Sequence, residues 1–290
     1  MRAIPMLQPP YDLATPHAVA SAARAGRGAG IDFTVSAIVP ARNEAPCIGA
    51  VVRGLCALKT QDGRPLLHEV LVADNGSRDG TAALASQAGA NVVHVLQPGY
   101  GQACWYAIQA SHGDVLLFVD GDGAADPCDA AALLADVANG ADMVVGVRRA
   151  AMPGAMTPAQ RFGNALACYL MRKIWCMKVE DLGPYRAIRR EAFDALDMQD
   201  RSFGWTVEMQ VRAHVLGLNV QHHPVQWRPR IGGVSKISGS VSGVLRAGIG
   251  ILGMIARLWW RERRRPHTSP QQGSLHPRPE RAPAAAVVHR

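Results

Sequence analysis

The chain is poor in aromatics, which make up 6% of its residues, and its six cysteines include no CxxC pair. The first shortage argues against the stacking surfaces that hold single-stranded nucleic acids. The second leaves no zinc-finger spacing. Cysteines set in apolar runs such as "LACYL" and "IWCMK" are expected to be buried free thiols in a reducing compartment. The N-terminus has no continuous apolar core of the signal-peptide kind. Near the C-terminus the longest apolar stretch between arginines is "AGIGILGMIA", too short to span a bilayer comfortably. "PGYGQ" lacks both the P-loop lysine and a full GxGxxG, so it reads as a packed helix start rather than a phosphate loop.

Basic charge is unevenly spread. From Arg261 onward there are seven arginines and two glutamates, which is +5 of the chain's +8. The excess is a tail property and does not predict nucleic acid as a partner.

Hydrophobic residues make up 48% of the 290, enough for one large α/β domain or two small ones. β-branched runs ("FTVSAIVPA", "HEVLVAD", "NVVHVL", "DVLLFVD", "DMVVGVRR") alternate with helical patterns such as "EAPCIGAVVRGLCAL", where Ile48, Val51, Val52 and Leu55 share a face. This alternation predicts a mostly parallel sheet flanked by helices. The expected divisions are a disordered extension over 1–32, the α/β domain over 33–240, an apolar or amphipathic helix over 241–262 and a disordered basic tail over 263–290. The helix could lie at a membrane interface, with Trp259, Trp260 and "RERRR" at its end, or pack on the domain.

Ligands of such sheets bind beyond the carboxyl ends of the strands. Three strands here end in polar clusters: "PARNE", "ADNGSRDGT" and "DGDG". Asp120 and Asp122 stand at i and i+2 after an apolar strand. Their repulsion is offset if they share a divalent cation, and oxygen ligands suit Mg²⁺ or Mn²⁺. A plain Asp-Gly turn is the alternative. Asp74 could accept hydrogen bonds from a nucleobase, and Asp79 reads as a turn-and-cap residue.

"IVPARNE", "VADNGSRDGT" and "FVDGDGAADP", in that order, resemble the nucleotide-sugar domain of family 2 glycosyltransferases, which have the GT-A (Rossmann-like) fold. "DLGPYRAIRREAF", "GWTVEMQ" and "PVQWRPRIGGVSKISG" resemble the dolichol-phosphate mannosyltransferase and polyprenyl-phosphate glycosyltransferase branch. The resemblance covers roughly residues 34 to 242 and is specific only when its motifs are taken together. It implies an inverting, metal-dependent hexosyltransferase using a UDP- or GDP-linked sugar and a polyprenyl phosphate. The implied place is cytoplasmic, at the inner face of the membrane, with peripheral contact. A small soluble acceptor, or a non-catalytic nucleotide- or membrane-binding protein of this fold, are the alternatives.

By position, the resemblance implies a nucleotide-sugar site at Pro40, Ala41, Glu44, Asp74, Asp120 and Gly121, with the cation on Asp120 and Asp122. Arg148 falls where relatives place a basic residue. Arg186, Arg228, Arg230, Ser235 and Lys236 would meet donor or acceptor phosphates. An alcohol acceptor would need a base, for which Asp181, Glu180 and Glu208 are candidates; Glu208 could equally pair with a nearby arginine. Two departures stand out. Ala124 and Ala125 replace the Gln-His that relatives often carry, and the QxxRW of polysaccharide synthases is absent.

Overall fold

The computed structural model describes residues 31–152, 154–230, 232 and 241–264. The terminal extensions expected from composition lie almost wholly outside these residues, and so do Ser235 and Lys236.

A seven-stranded sheet forms the middle layer, in the order β3-β2-β1-β4-β6-β5-β7. Its first strands are β1 (Val35–Ala41), β2 (Glu69–Asp74), β3 (Asn91–His94) and β4 (Val115–Phe118), all parallel. They are joined by α1 (Ile48–Cys56), α2 (Thr81–Gln87) and α3 (Tyr100–Ala110). A 3-10 turn, Pro127–Asp129, leads into α4 (Ala130–Ala138) and then β5 (Met143–Ala150). The second half contains α5 (Pro158–Trp175), β6 (Arg186–Arg189), α6 (Arg190–Leu196), α7 (Trp205–Val215), β7 (Val220–Trp227) and α8 (Val241–Arg264). Among the described strands only β6 runs antiparallel, paired with β4 on one side and β5 on the other. β7 tolerates Pro224 because it is an edge strand, where a missing N–H breaks no second ladder.

Apolar runs at β1, β2 and β4 are buried along their whole length apart from Glu69, which fits strands covered on both faces. One core lies between the sheet and α1, α2 and α4; a second lies between the sheet and α3, α6 and α7. A third joins Ala167, Cys168 and Met171 of α5 to Val207 and Val211 of α7 and to Met254, Ile255 and Leu258 of α8. The C-terminal helix therefore packs on the domain through one face. No described helix is long and apolar enough to cross a membrane.

The expected packed helix start at "PGYGQ" is present. A Cβ on Gly99 would lie 2.3 Å from the Arg201 carbonyl oxygen, and one on Gly101 would lie 2.8 Å from that of Asp200. All six cysteines are free, but only Cys47, Cys104 and Cys168 are buried; Cys56, Cys128 and Cys176 are exposed, at the end of α1, in the 3-10 turn and just past α5.

Candidate active site

Strand order reverses around β1: β2 and β3 follow on one side and β4 on the other. Such a switch point opens a crevice at the carboxyl ends. Register puts Ala41 of β1 beside Asp74 of β2, and Asp120 follows the end of β4. The three polar clusters thus meet at one place.

The first two clusters are interlocked. Asn43, in a left-handed conformation at φ 51°, donates its amide to the Ser77 hydroxyl at 2.9 Å, and its side-chain oxygen accepts from the Arg78 amide at 2.8 Å. The Glu44 amide donates to the Thr81 hydroxyl at 2.9 Å. Asp79 accepts from the Thr81 amide at 3.0 Å, the turn role expected of it. Asp74 is buried; its carboxylate accepts from the Ser77 amide at 3.2 Å and lies 3.6 Å from His94 Nδ1. Gly121 is packed between Ile48 and Ala41, which keeps this floor narrow.

Asp120 and Asp122 have different partners. Asp120, half-buried, accepts from the Tyr100 hydroxyl at 3.1 Å. Burial, and then the Asp122 charge, push the Asp120 carboxyl up to about 7. Burial and Asp120 in turn hold the Tyr100 phenol well above its ordinary value, so it stays a donor. Asp122 is buried, accepts from the Ala124 amide at 3.0 Å, and pairs with Arg230 Nη2 at 2.9 Å. Arg230 Nη1 lies 3.6 Å from Glu44 Oε1.

Sequence reasoning missed Tyr100 and Asn75. The Asn75 side chain donates to the Gln97 carbonyl at 2.7 Å and accepts from the Gly99 amide at 2.9 Å. It holds the loop that starts α3 and so positions Tyr100 over Asp120. Asn75 was visible in "ADNGS", but its partners lie more than twenty residues away and have no local signature.

Ala124 and Ala125 have a structural use. The segment after Asp122 runs antiparallel to the end of β7: Ala125 bridges Trp227, and the Arg228 amide donates to the Ala124 carbonyl at 2.8 Å. Both alanines are buried against Trp227 in the first core. The same pairing sets Arg228 Nη2 at 2.6 Å from Asp126 Oδ2.

Beyond the carboxylates, a cavity of 550 Å³ is lined by Arg148, Arg149, Met152, Met156, Arg161 and Asn164, with Glu180 and Asp181. Arg148 is clamped by Asp181, with Nε to Oδ2 at 2.9 Å and Nη2 to Oδ1 at 2.6 Å, and its guanidinium lies 5.5 Å from the Trp227 ring centroid. Asp181 also accepts from the Arg148 amide at 2.8 Å, so both its oxygens are engaged and it is poorly placed as a base. These contacts fix the orientation of the Arg148 side chain.

Two further expectations are corrected. Arg186 was expected on a phosphate. It is buried, and donates to the carbonyls of Leu182, Gly183 and Thr206 at 3.0, 2.6 and 3.1 Å. Burial lowers its guanidinium to about 10, which leaves it charged at neutral pH, holding the 182–185 turn. Glu208 was a candidate base. It is buried, accepts from the amides of Gln199 and Asp200, and its Oε1 lies 2.9 Å from Arg212 Nε. It is the helix carboxylate facing an arginine.

Comparison with known proteins agrees with this geometry. The profile of glycosyl transferase family 2 matches residues 36–197. An uncharacterized glycosyltransferase of Mycobacterium tuberculosis is 35% identical over 214 residues, covering 73% of this chain and 94% of that protein. Glycosyltransferase AglJ of Haloferax volcanii is 35% identical over 199 residues, covering 68% of this chain and 63% of that protein. In fold, the chain is similar to glucosyl-3-phosphoglycerate synthase from M. tuberculosis, solved with Mn²⁺, UDP and glucosyl-3-phosphoglycerate. The TM-score is 0.63 at 22% identity, covering 87% of this chain and 86% of that one. With its strand-end carboxylates gathered on this GT-A sheet, the chain belongs to glycosyltransferase family 2.

Proposed function

We propose that this enzyme inverts a sugar at its anomeric carbon, moving it from a UDP- or GDP-linked donor to a polyprenyl phosphate at the inner face of the cytoplasmic membrane. One observation carries the reading. Asp74, Asp120 and Asp122 meet at neighbouring strand ends, and a cavity lined by Arg148, Arg149 and Arg161 opens at the end of β5 in the same sheet. Asp74 would read the base, and the cavity would take the acceptor.

The residues fit a divalent cation. Asp120 and Asp122 are hard oxygen donors, and burial followed by their mutual repulsion lifts the Asp120 carboxyl. Among the described residues no third His, Cys, Asp or Glu completes a cluster, so water and diphosphate oxygens would fill the remaining positions, as Mg²⁺ usually requires. Bound there, the ion would stabilise the charge of the departing diphosphate. The chain's own residues do the rest. Tyr100 orients Asp120, and Asp181 with Trp227 fixes Arg148 as a preorganised positive charge.

A phosphate acceptor suits the engaged carboxylates. A phosphate oxygen is already anionic and attacks without a general base, and Asp181 and Glu208 are both taken. Were the acceptor an alcohol, Glu180 remains; it is exposed in the cavity, 3.6 Å from Arg149. The lipid part of the proposal rests on α8. Opposite its packed face it exposes Ile249, Leu252 and Trp260, with Trp259 at the side and Arg261, Arg263 and Arg264 at the end. That is the composition of a peripheral contact with an anionic leaflet. α5 exposes Phe162 and Tyr169 while its Arg161 and Asn164 line the cavity.

A second reading is a small phosphorylated acceptor, as the name of glucosyl-3-phosphoglycerate synthase describes for that neighbour. Radiolabelled transfer separates them. Sugar from a UDP or GDP donor is expected on a short polyprenyl phosphate in detergent. Transfer only to small phosphorylated acids would contradict the lipid acceptor.

A further inference from the structure

We infer that Arg230 is an internal counter-ion that competes with a divalent cation for Asp122, and that the donor's diphosphate relieves the competition by drawing the guanidinium onto itself. The inference deepens the proposed donor reading and rests on it for the second half.

Both oxygens of Asp122 are engaged, Oδ1 by the Ala124 amide at 3.0 Å and Oδ2 by Arg230 Nη2 at 2.9 Å. Each oxygen can accept a second bond, but a cation entering at Oδ2 meets the guanidinium charge 2.9 Å away, and two positive groups on one oxygen repel each other. The Ala124 amide cannot leave, because its segment is bound to the end of β7 through Ala125 with Trp227 and Ala124 with Arg228. The guanidinium can. It sits on a long side chain, two residues past the Arg228–Asp126 pair that anchors the backbone.

Its present contacts are also incomplete. Nη1 is buried with no hydrogen-bond partner among the described residues; the nearest carboxylate, Glu44 Oε1, is 3.6 Å away. A guanidinium carries five donors in a planar fork, and leaving one buried and unmet is costly. A diphosphate offers the paired oxygens this fork matches. Moving Arg230 from Asp122 to diphosphate therefore improves its hydrogen bonding while freeing Asp122 for the ion. Each ligand then favours the other, and linkage makes that preference reciprocal.

Calorimetry of the full-length protein with Mn²⁺, alone and with saturating UDP or GDP, tests this. The native protein is expected to bind free Mn²⁺ weakly and at least tenfold more tightly once a nucleoside diphosphate is present. In Arg230→Met, free Mn²⁺ should bind about tenfold more tightly than in the native protein, and the gain from nucleotide should shrink. Arg230→Gln removes the charge but keeps a donor for Asp122, so it gives the same direction if the Met variant does not fold. Free Mn²⁺ binding to either folded variant no tighter than to the native protein would overturn the inference. Tighter free Mn²⁺ in the variants with no response to either nucleotide would support the competition and count against the donor reading instead.

Discussion

The two halves of the sheet handle charge in opposite ways. At the ends of β1, β2 and β4, carboxylates are gathered: Asp120 has a phenol for a partner, and Asp122 has one arginine and one amide. In the β5–β6 half, the arginines are engaged by the protein itself. Arg148 is on Asp181, Arg186 on three carbonyls, Arg189 on the carbonyls of Val137 and Ala141, and Arg190 on Gly113 and Ser111. Buried negative charge without a matching cation is costly and persists where function uses it. Arg186 and Arg190, buried and bonded to backbone carbonyls and a hydroxyl, are scaffolding. The crevice thus joins an electrostatically unfinished side to a finished one, and Arg230 stands on the first, against Asp122 and Glu44.

The largest effect should come from the unfinished side. Asp122→Ala is expected to lower kcat/KM by about a thousandfold or more, roughly 4 kcal/mol of transition-state stabilisation, with the fold retained by circular dichroism. Unchanged turnover would remove the cation from the account. On the finished side the effect should fall on stability. Arg186→Met leaves the Leu182, Gly183 and Thr206 carbonyls unmet and should cost about 3 kcal/mol in urea unfolding. If the folded variant instead kept its stability and lost donor or acceptor affinity, Arg186 would belong to the crevice after all. Glu208→Gln should cost about 2 kcal/mol by the same measurement, with kcat within twofold of native. A collapse of kcat at unchanged stability would restore Glu208 as a base.

Asp120 supplies a pH test. Its folded carboxyl, pushed up to about 7, lies above the ordinary value near 3.9. Between those values the folded chain holds a proton that the unfolded chain has released. The corresponding stability is complete below the lower value and is lost as pH rises through the upper one. With divalent ions chelated, the melting temperature should fall from pH 5 to pH 7, and Asp120→Asn should flatten that fall. The slope is at most about 1.4 kcal/mol per pH unit, and solvent access to the half-buried carboxyl reduces it. The smallest stability effect should be at α8. Trp260→Ala should change unfolding by no more than about 0.5 kcal/mol, since Trp260 is 54% exposed, yet weaken sedimentation with anionic vesicles. Unaltered vesicle binding would remove the exposed face of α8 from the membrane contact.

Much of this was legible in the chain. Alternating apolar runs and helical spacing carried the α/β sheet, and "VPARNE", "VADNGS" and "DGDG" carried its crevice. What the sequence hid depends on chain direction and distant pairing. Arg186, Arg189 and Arg190 look like one basic cluster, but β6 runs antiparallel. That places Arg186 beside Phe118 at the crevice end and Arg189 beside Val115 at the opposite end. "RAIR" has no periodicity to announce such a strand. Ala124 and Ala125 look like missing ligands until Trp227, about a hundred residues later, closes over them. Tyr100, the first residue of α3, and Arg230, past the end of β7, converge on the carboxylates from distant parts of the sequence, so only the folded chain shows them together.

The central claim is that the gathered carboxylates bind a nucleotide sugar together with a divalent cation. A thermal-shift panel of UDP- and GDP-linked sugars, each with and without Mn²⁺, tests it directly. One donor class should stabilise the protein in the presence of Mn²⁺ and do so far less without it; at a hundredfold excess over Kd the gain is about 2.7 kcal/mol. No stabilisation by any donor with Mn²⁺, or equal stabilisation with and without it, would contradict the account.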